Sequence, residues 1–547
     1  MRNKLIGVLV VLAALVAGCS PAAAPVTAVV QAQEGQESSA GLAPRAAADK
    51  GAPPLEIEQE AATEAAAEAP MPDVFMPAPT AASAVTQEPV QNEPPQDMYF
   101  QEYGTNPFVI TSKDNLSTFA VDVDTGSYTL TRSYLNDGNL PPPEAIRLEE
   151  FVNYFRQDYP VPQDQAFLID TEAARTPFSA QDSYVLRVGL QGYEIPDSAR
   201  PDAQLIFVID VSGSMNEDNR LGAVKQALNM LVNSLRPTDK IGIVVYGSQG
   251  RVVLEPTEIG QTGEIRDAIN SLEPDGSTNA EEGLRLAYEM ASANYDPNRI
   301  NRLILCSDGV ANVGITGPDA ILETVRQQAN EGITLTTVGF GMGNYNDVLM
   351  EQLANDGDGQ YYYADSAKEA ERLFVTDLTG TLQTIALNAK IQVEFNGETV
   401  EAYRLMGYEN RAVADQDFRN NAVDAGEIGA GHSVTALYEI IPTQNTQGTV
   451  ATVRVRWEDP TTHDVQEIEH SIAAGEVHTS FEQASPRYQL DVLAAAFADV
   501  LGQGAWAQNA SYDSILAASA PVAAVLNQDA DVLEFVALVQ RAKSLAH

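Results

Sequence analysis

The chain has 547 residues, with 76 Asp and Glu against 32 Lys and Arg and a formal net charge of −44. That balance excludes a non-specific nucleic-acid binder, which needs clustered cations to displace counterions from phosphates, and it disfavours electrostatic docking on anionic lipid. Only Cys19 and Cys306 are present and all five His lie at or beyond His432, which excludes a disulfide framework, a multi-Cys metal cluster and a His-based centre in the earlier residues.

Arg2 and Lys4 form a positive n-region, and an apolar run follows over residues 5–17. The run has the length of a signal-peptide h-region and is too short to span a bilayer comfortably. It ends in Leu15-Val16-Ala17-Gly18-Cys19, which resembles a bacterial lipobox, whose Cys is lipidated and becomes the new N-terminus. The alternative is an ordinary signal peptide with an incidental Cys. Lipidation at Cys19 makes residues 1–19 a lipoprotein signal peptide and the mature protein extracytoplasmic and lipid-anchored. Several acyl chains give a stable anchor where a single one is marginal. In a Gram-negative cell, Ser20 in place of Asp leaves the outer membrane open as a destination.

Residues 20–98 are rich in Ala, Pro, Glu and Gln and poor in aromatics. Such a segment cannot bury enough apolar surface to offset chain entropy, so a disordered linker is expected. As a flexible coil it would hold the folded part on the order of 50 Å from its anchor. Within it, residues 56–68 suit a transient helix.

Ordered character begins near Tyr99. Residues 117–125 alternate like a strand; residues 128–136 and 147–155 read as helices, and residues 167–172 and 184–190 as strands. These make up an N-terminal flanking region, residues 99–200. From Gln204 the pattern becomes strand–helix alternation. Leu205-Ile206-Phe207-Val208-Ile209 is an uninterrupted apolar run, as a strand buried on both faces of a parallel sheet requires. Helix 221–235 and strands 241–246 and 251–254 follow, then helices 262–272 and 280–293, strand 302–306 and helix 320–331. Strand 334–340, helix 347–354, strand 360–363 and helix 367–386 complete the unit, residues 201–388. This rhythm predicts a doubly wound, mostly parallel α/β sheet with helices on both faces. Residues 389–547 are β-rich, then helical at 486–501 and 530–545. Strands before Pro201 and after Lys390 share the same character and flank a self-contained unit whose ends should lie close together. The α/β unit is therefore expected to be inserted in a β-rich domain built from both flanks, with helix 367–386 leading out.

Three loops sit where open α/β sheets bind ligands, at the C-terminal ends of strands or leading into a helix. Asp210-Val211-Ser212-Gly213-Ser214 follows the first strand of the unit, Gly276-Ser277-Thr278-Asn279 leads into the helix at 280, and Ser307-Asp308-Gly309 follows the strand at 302–306. The i, i+2, i+4 spacing in a tight turn lets one carboxylate and two hydroxyls converge. Hard oxygen donors gathered in this way suit Mg²⁺ (or Mn²⁺/Ca²⁺). The bland alternative is that Asp210 and the serines only cap the next helix.

Together these residues resemble a von Willebrand factor type A domain and its metal-ion-dependent adhesion site, over about residues 201–386. The resemblance implies Ser212 and Ser214 as direct ligands, Thr278 as a ligand whose engagement varies with state, and Asp210 and Asp308 as acids acting directly or through water. It extends further. Residues 118–125, Leu140-Pro141-Pro142 and residues 147–155 look like the N-terminal flank of bacterial YfbK-like lipoproteins. Met406-Gly407-Tyr408-Glu409-Asn410-Arg411 and residues 424–432 look like that family's C-terminal region. One departure is Val310-Ala311 after Asp308-Gly309, where the family leads us to expect Asp and an aromatic; Asp308 itself is kept.

Cys306, in an apolar run, reads as a small buried residue. His463, His470 and His478 are scattered over strands and turns and read as solvated or core residues. Asp356-Gly357-Asp358-Gly359 lacks the closing Glu of an EF-hand loop and reads as a turn. Asp122 and Asp124 read as a strand end entering a turn. Tyr361, Tyr362 and Tyr363 read as partly core. The leading function is a membrane-anchored binding module whose incompletely neutralised metal accepts a carboxylate from a partner protein or envelope component. One alternative is a metal-dependent hydrolase, for which no His, Cys or basic residue in the loops is placed as a general base, though an Asp or Glu could serve. The other is a structural envelope or assembly protein with a stabilising metal.

Overall fold

A computed structural model of the chain describes residues 99–546, apart from 122–123, 180–181, 310–317, 342–345, 378–381, 424 and 446. Cys19, the linker, Asp122 and Val310-Ala311 lie outside the described residues. The N-terminal flank contributes β1 (Val109–Ile110), β2 (Leu116–Ala120), α1 (Gly126–Asn136), α2 (Leu148–Asn153), β3 (Phe167–Arg175) and β4 (Tyr184–Gly192). The α/β unit follows. It contains β5 (Asp202–Asp210), α3 (Arg220–Ser234), β6 (Lys240–Tyr246), β7 (Gly250–Glu258), α4 (Thr262–Asn270) and α5 (Ala280–Ala293). It continues with β8 (Arg299–Ser307), α6 (Pro318–Asn330), β9 (Ile333–Phe340), α7 (Asp347–Asn355), β10 (Tyr361–Ala364) and α8 (Ala367–Glu371). The C-terminal part has β11 (Thr384–Phe395), β12 (Val400–Met406), β13 (Gly426–Gly429), β14 (Ser433–Pro442), β15 (Thr449–Glu458) and β16 (Val465–Ala473), then α9 (Pro486–Leu501), α10 (Tyr512–Val525) and α11 (Ala530–Leu545).

The α/β unit is a six-stranded sheet in the order β10-β9-β8-β5-β6-β7, parallel except for the antiparallel edge strand β7. Its central strand shows why an apolar run was needed. Leu205, Phe207 and Ile209 enter the core shared with α3, α4 and α8, whereas Ile206 and Val208 enter the core shared with α5, α6 and α7. Cys306 at the end of β8 is fully buried, and burial pushes its thiol up out of the reactive range. Tyr361, Tyr362 and Tyr363 are all buried, more completely than their sequence suggested.

The flanks pair with each other across the inserted unit. β2 runs antiparallel to β11 with Phe119 opposite Ile391, and β4 runs antiparallel to β14 with Arg187 opposite Leu437. The two resulting five-stranded sheets share one core, to which Val188, Leu190, Ile391, Val393 and Val453 belong. The points where the chain leaves and returns are tied to the same turn. Gly431 N–H donates to Tyr193 O at 2.9 Å, and Ala430 N–H donates to Gln383 O at 2.9 Å.

The helix expected over 367–386 is shorter. α8 ends at Glu371, a π-helical turn carries it to Asp377, and by Thr384 the chain is already strand β11. Thr384 and Ile385 are β-branched and favour a strand, and Thr384 and Ala386 pair with Gly429 and Ile428 of β13, which draws the end of the expected helix into β11. The division at 388/389 falls inside β11. A further helix, α10, joins α9 and α11; its Pro521 and diffuse Ala-rich pattern hid it. Because β2 and β4 supply partners to β11 and β14, residues 390–547 expressed alone should show no cooperative urea transition, whereas the full chain should. A sharp transition in that fragment would contradict the shared sheets.

Candidate metal centre

The sheet order changes direction at β5. The chain moves from β5 to β6 on one side and reaches β8 on the other only later. The loops leaving β5 and β8 therefore part, and a crevice opens beyond their C-terminal ends, as at the switch point of other doubly wound sheets. Asp210 is the last residue of β5, and Asp308 directly follows β8.

Asp210 is fully buried. Its Oδ1 accepts the Ser212 backbone N–H at 2.8 Å, and its Oδ2 accepts the Ser307 hydroxyl at 3.0 Å. Burial, with the negative charge of Asp308 adding to it, pushes the Asp210 carboxyl up to about 6. The same turn brings Ser212 Oγ and Ser214 Oγ to 3.1 Å from each other. Two oxygens on adjacent corners of an octahedron around Mg²⁺, each about 2.0–2.1 Å from the ion, stand about 3 Å apart. The serine pair has that spacing.

The Thr278 loop hangs from the serine loop by backbone bonds. Asp275 N–H donates to Val211 O at 2.5 Å, and Gly213 N–H donates to Gly276 O at 3.0 Å. Gly276 has φ +70°, and a Cβ there would come within 1.7 Å of Ser248 Oγ, so this close approach requires glycine. Half-buried Thr278 then leads into α5, whose cap Asn279 accepts the Glu282 N–H at 3.3 Å.

Asp308 is buried, and its Oδ2 accepts a hydrogen bond from Arg220 Nη1 at 2.8 Å. Arg220 opens α3 and also approaches Ser214 O at 3.4 Å. Among the described residues no group of three or more His, Cys, Asp and Glu is placed to hold a metal. A cation here would therefore rest on the hydroxyls of Ser212, Ser214 and Thr278 together with Asp210 and Asp308. The hard-oxygen donor set and the serine spacing fit such an ion.

Sequence reasoning placed the three loops together but missed two residues. Ser307 was visible beside Asp308 and anchors Asp210. Arg220 lies ten residues beyond Asp210, after the 3-10 segment Gly213–Asn219, and no spacing rule marks it. The other singled-out residues do not join the site. His463 Nδ1 lies 2.7 Å from Glu458 Oε1, and His478 Nε2 lies 3.5 Å from Glu172 Oε1. Asp124 accepts the Tyr361 N–H at 2.9 Å, and Asp356 pairs with Arg326 at 3.1 Å beside the turn that enters β10.

Family models match three segments in succession. They are described as von Willebrand factor over residues 94–186, von Willebrand factor type A domain over 204–376, and "Uncharacterized protein YfbK, C-terminal" over 380–545. YfbK of Escherichia coli is 39% identical over 371 residues, 66% of this chain and 64% of that protein. The chain is a YfbK-like protein with a type A domain.

Protein sll0103 of Synechocystis is 26% identical, over 35% of this chain and 44% of its own. Inter-alpha-trypsin inhibitor heavy chain H2 of Sus scrofa is 28% identical, over 35% and 22%. The YfbK-like chain thus spans less than two thirds of the length of each of these relatives. The type A domain that holds the crevice is a protein-interaction module. Among the described residues, no helix is long and apolar enough to cross a membrane.

The burial of Asp210 has a consequence for stability. Its carboxyl titrates higher in the folded chain than in the unfolded one, so its ionised form costs stability. Metal-free protein should therefore gain up to about 3 kcal/mol from this group as pH falls from above 6 to below 4. Asp210→Asn should raise stability at pH 7.5 without metal and flatten that stretch of the profile, as read by urea midpoints. An unchanged profile would contradict the burial of an ionisable group.

Proposed function

We propose that the protein is a binding module that holds Mg²⁺, or Mn²⁺ or Ca²⁺ in its place, on Asp210, Ser212, Ser214, Thr278 and Asp308. The observation that carries this reading is the 3.1 Å pair of serine hydroxyls in the turn directly after buried Asp210, with buried Asp308 at the end of the neighbouring strand β8. Neutral hydroxyls supply most of the donors, so the ion keeps much of its charge. An open coordination position then takes an acidic side chain of a partner protein or envelope component. The ion's contribution is that Lewis acidity; the chain's contribution is a pair of fixed hydroxyls and a buried acid that hold it off water.

The same reading places the module outside the cytoplasm. Cys19 ends the apolar leader and carries the lipid, and the Ala/Pro/Glu-rich linker joins the anchor to the folded part. With a net charge of −44, electrostatic attraction to anionic lipid would not hold it at the membrane, so the anchor is covalent.

Asp210→Ala, Ser212→Ala and Thr278→Ala should each weaken Mn²⁺ or Mg²⁺ binding about tenfold or more in calorimetry while the far-ultraviolet dichroism stays that of wild type. Unchanged affinity in all three would refute the site. Cys19→Ser should move the protein from the membrane to the soluble extracytoplasmic fraction; retention in the membrane would refute the lipid anchor.

A further inference from the structure

The crevice already contains a positive charge. The Arg220 guanidinium is buried with 6% of the residue exposed, and its Nη1 lies 2.8 Å from Asp308 Oδ2, whose residue is 5% exposed. Its other amino group faces Glu217 at 3.8 Å, an acid whose side chain is 71% exposed at the rim of the loop. The seat for this guanidinium is shaped by the opposite loop. Gly341, at φ +76°, lies against it, and a Cβ there would come within 2.0 Å of Arg220 Nε. A side chain that rests in a space only glycine leaves open, on a carboxylate that is otherwise dry, is part of the site.

We infer that Arg220 is the resident counter-ion of the crevice, and that a divalent cation binds by exchange with it at Asp308. The inference rests on the metal reading above. Asp308 held by a guanidinium has its charge spent on a charge-assisted hydrogen bond, so a cation arriving at the serines meets a neutralised acid and a repelling neighbour. As the ion takes Asp308, the guanidinium turns toward Ser214 O and Glu217. Two consequences follow. Without metal, Arg220 keeps Asp308 from being an uncompensated buried charge, so the fold does not depend on the ion. With metal, Arg220 lowers affinity, and binding becomes responsive to cation concentration rather than permanent.

The experiment compares wild type, Arg220→Gln and Arg220→Lys in the full chain, with Mn²⁺ as the probe in calorimetry and in thermal melting. Arg220→Gln should bind Mn²⁺ at least about tenfold more tightly than wild type, because the repelling charge is gone. It should melt lower than wild type without metal and recover on adding Mn²⁺. Arg220→Lys keeps the charge and should stay within about threefold of wild type. If Arg220→Gln fails to fold, the arginine Nε–H spectrum of wild type decides. One buried signal, absent from Arg220→Lys, should move on adding Mg²⁺, and a signal that does not move overturns the exchange. Mn²⁺ bound by wild type, lost in Asp210→Ala but no tighter in Arg220→Gln, overturns the role of Arg220 and leaves the site standing. Absence of Mn²⁺ binding in wild type and in every variant overturns both.

Discussion

Strand β5 is buried on both faces over almost its whole length, and that constraint organises the molecule. A strand in this position offers no polar surface along its sides, so its chemistry has to lie at its end. The end is Asp210, a carboxylate taken wholly out of water. A buried acid needs donors, and the turn that follows supplies them, with the Ser212 N–H on one oxygen and the Ser307 hydroxyl on the other. Because β6 and β8 flank β5 on opposite sides, the serine turn sits at the switch point of the sheet, where ligands bind in doubly wound folds. Core packing and site geometry therefore share one cause.

The second organising feature is the return of the chain to the sheets it left. The inserted unit is gripped at its β10 edge by the N-terminal flank. Thr129 Oγ1 donates to Tyr363 O at 2.8 Å, Arg132 pairs with Asp365 and Glu369 at 2.6 Å, and Arg147 pairs with Asp347 at 2.6 Å and with Glu150. Buried ion pairs of this kind add little net stability, because desolvation offsets their attraction. Removing one partner is costly, since it strands the other charge. Their contribution is to fix which surface of the α/β unit meets the flanks.

Much of this was legible in the residues. The apolar run 205–209 marked a strand covered on both faces, and D-x-S-x-S directly after it marked the crevice, because a turn at the end of a buried strand is where polar groups have to gather. The like character of the two flanks predicted that they would share sheets, which β2 with β11 and β4 with β14 do. What stayed hidden depended on distance in space. Arg220 looks like any exposed arginine at a helix start until Asp308, 88 residues on, is seen against it. Residues 384–386 closed the expected helix 367–386, and their pairing with β13 makes them β. α10 escaped notice because its Ala-rich surface spreads apolar residues around the helix and has no sharp stripe.

Anomalous diffraction at the manganese edge, from crystals grown with Mn²⁺, tests the cation site most directly. A single peak is expected in the crevice beyond β5, about 2.1–2.2 Å from both Ser212 Oγ and Ser214 Oγ, with Thr278 and the two acids around it. A map with no peak there, or with its only peak on surface carboxylates elsewhere, would contradict a metal-dependent binding module.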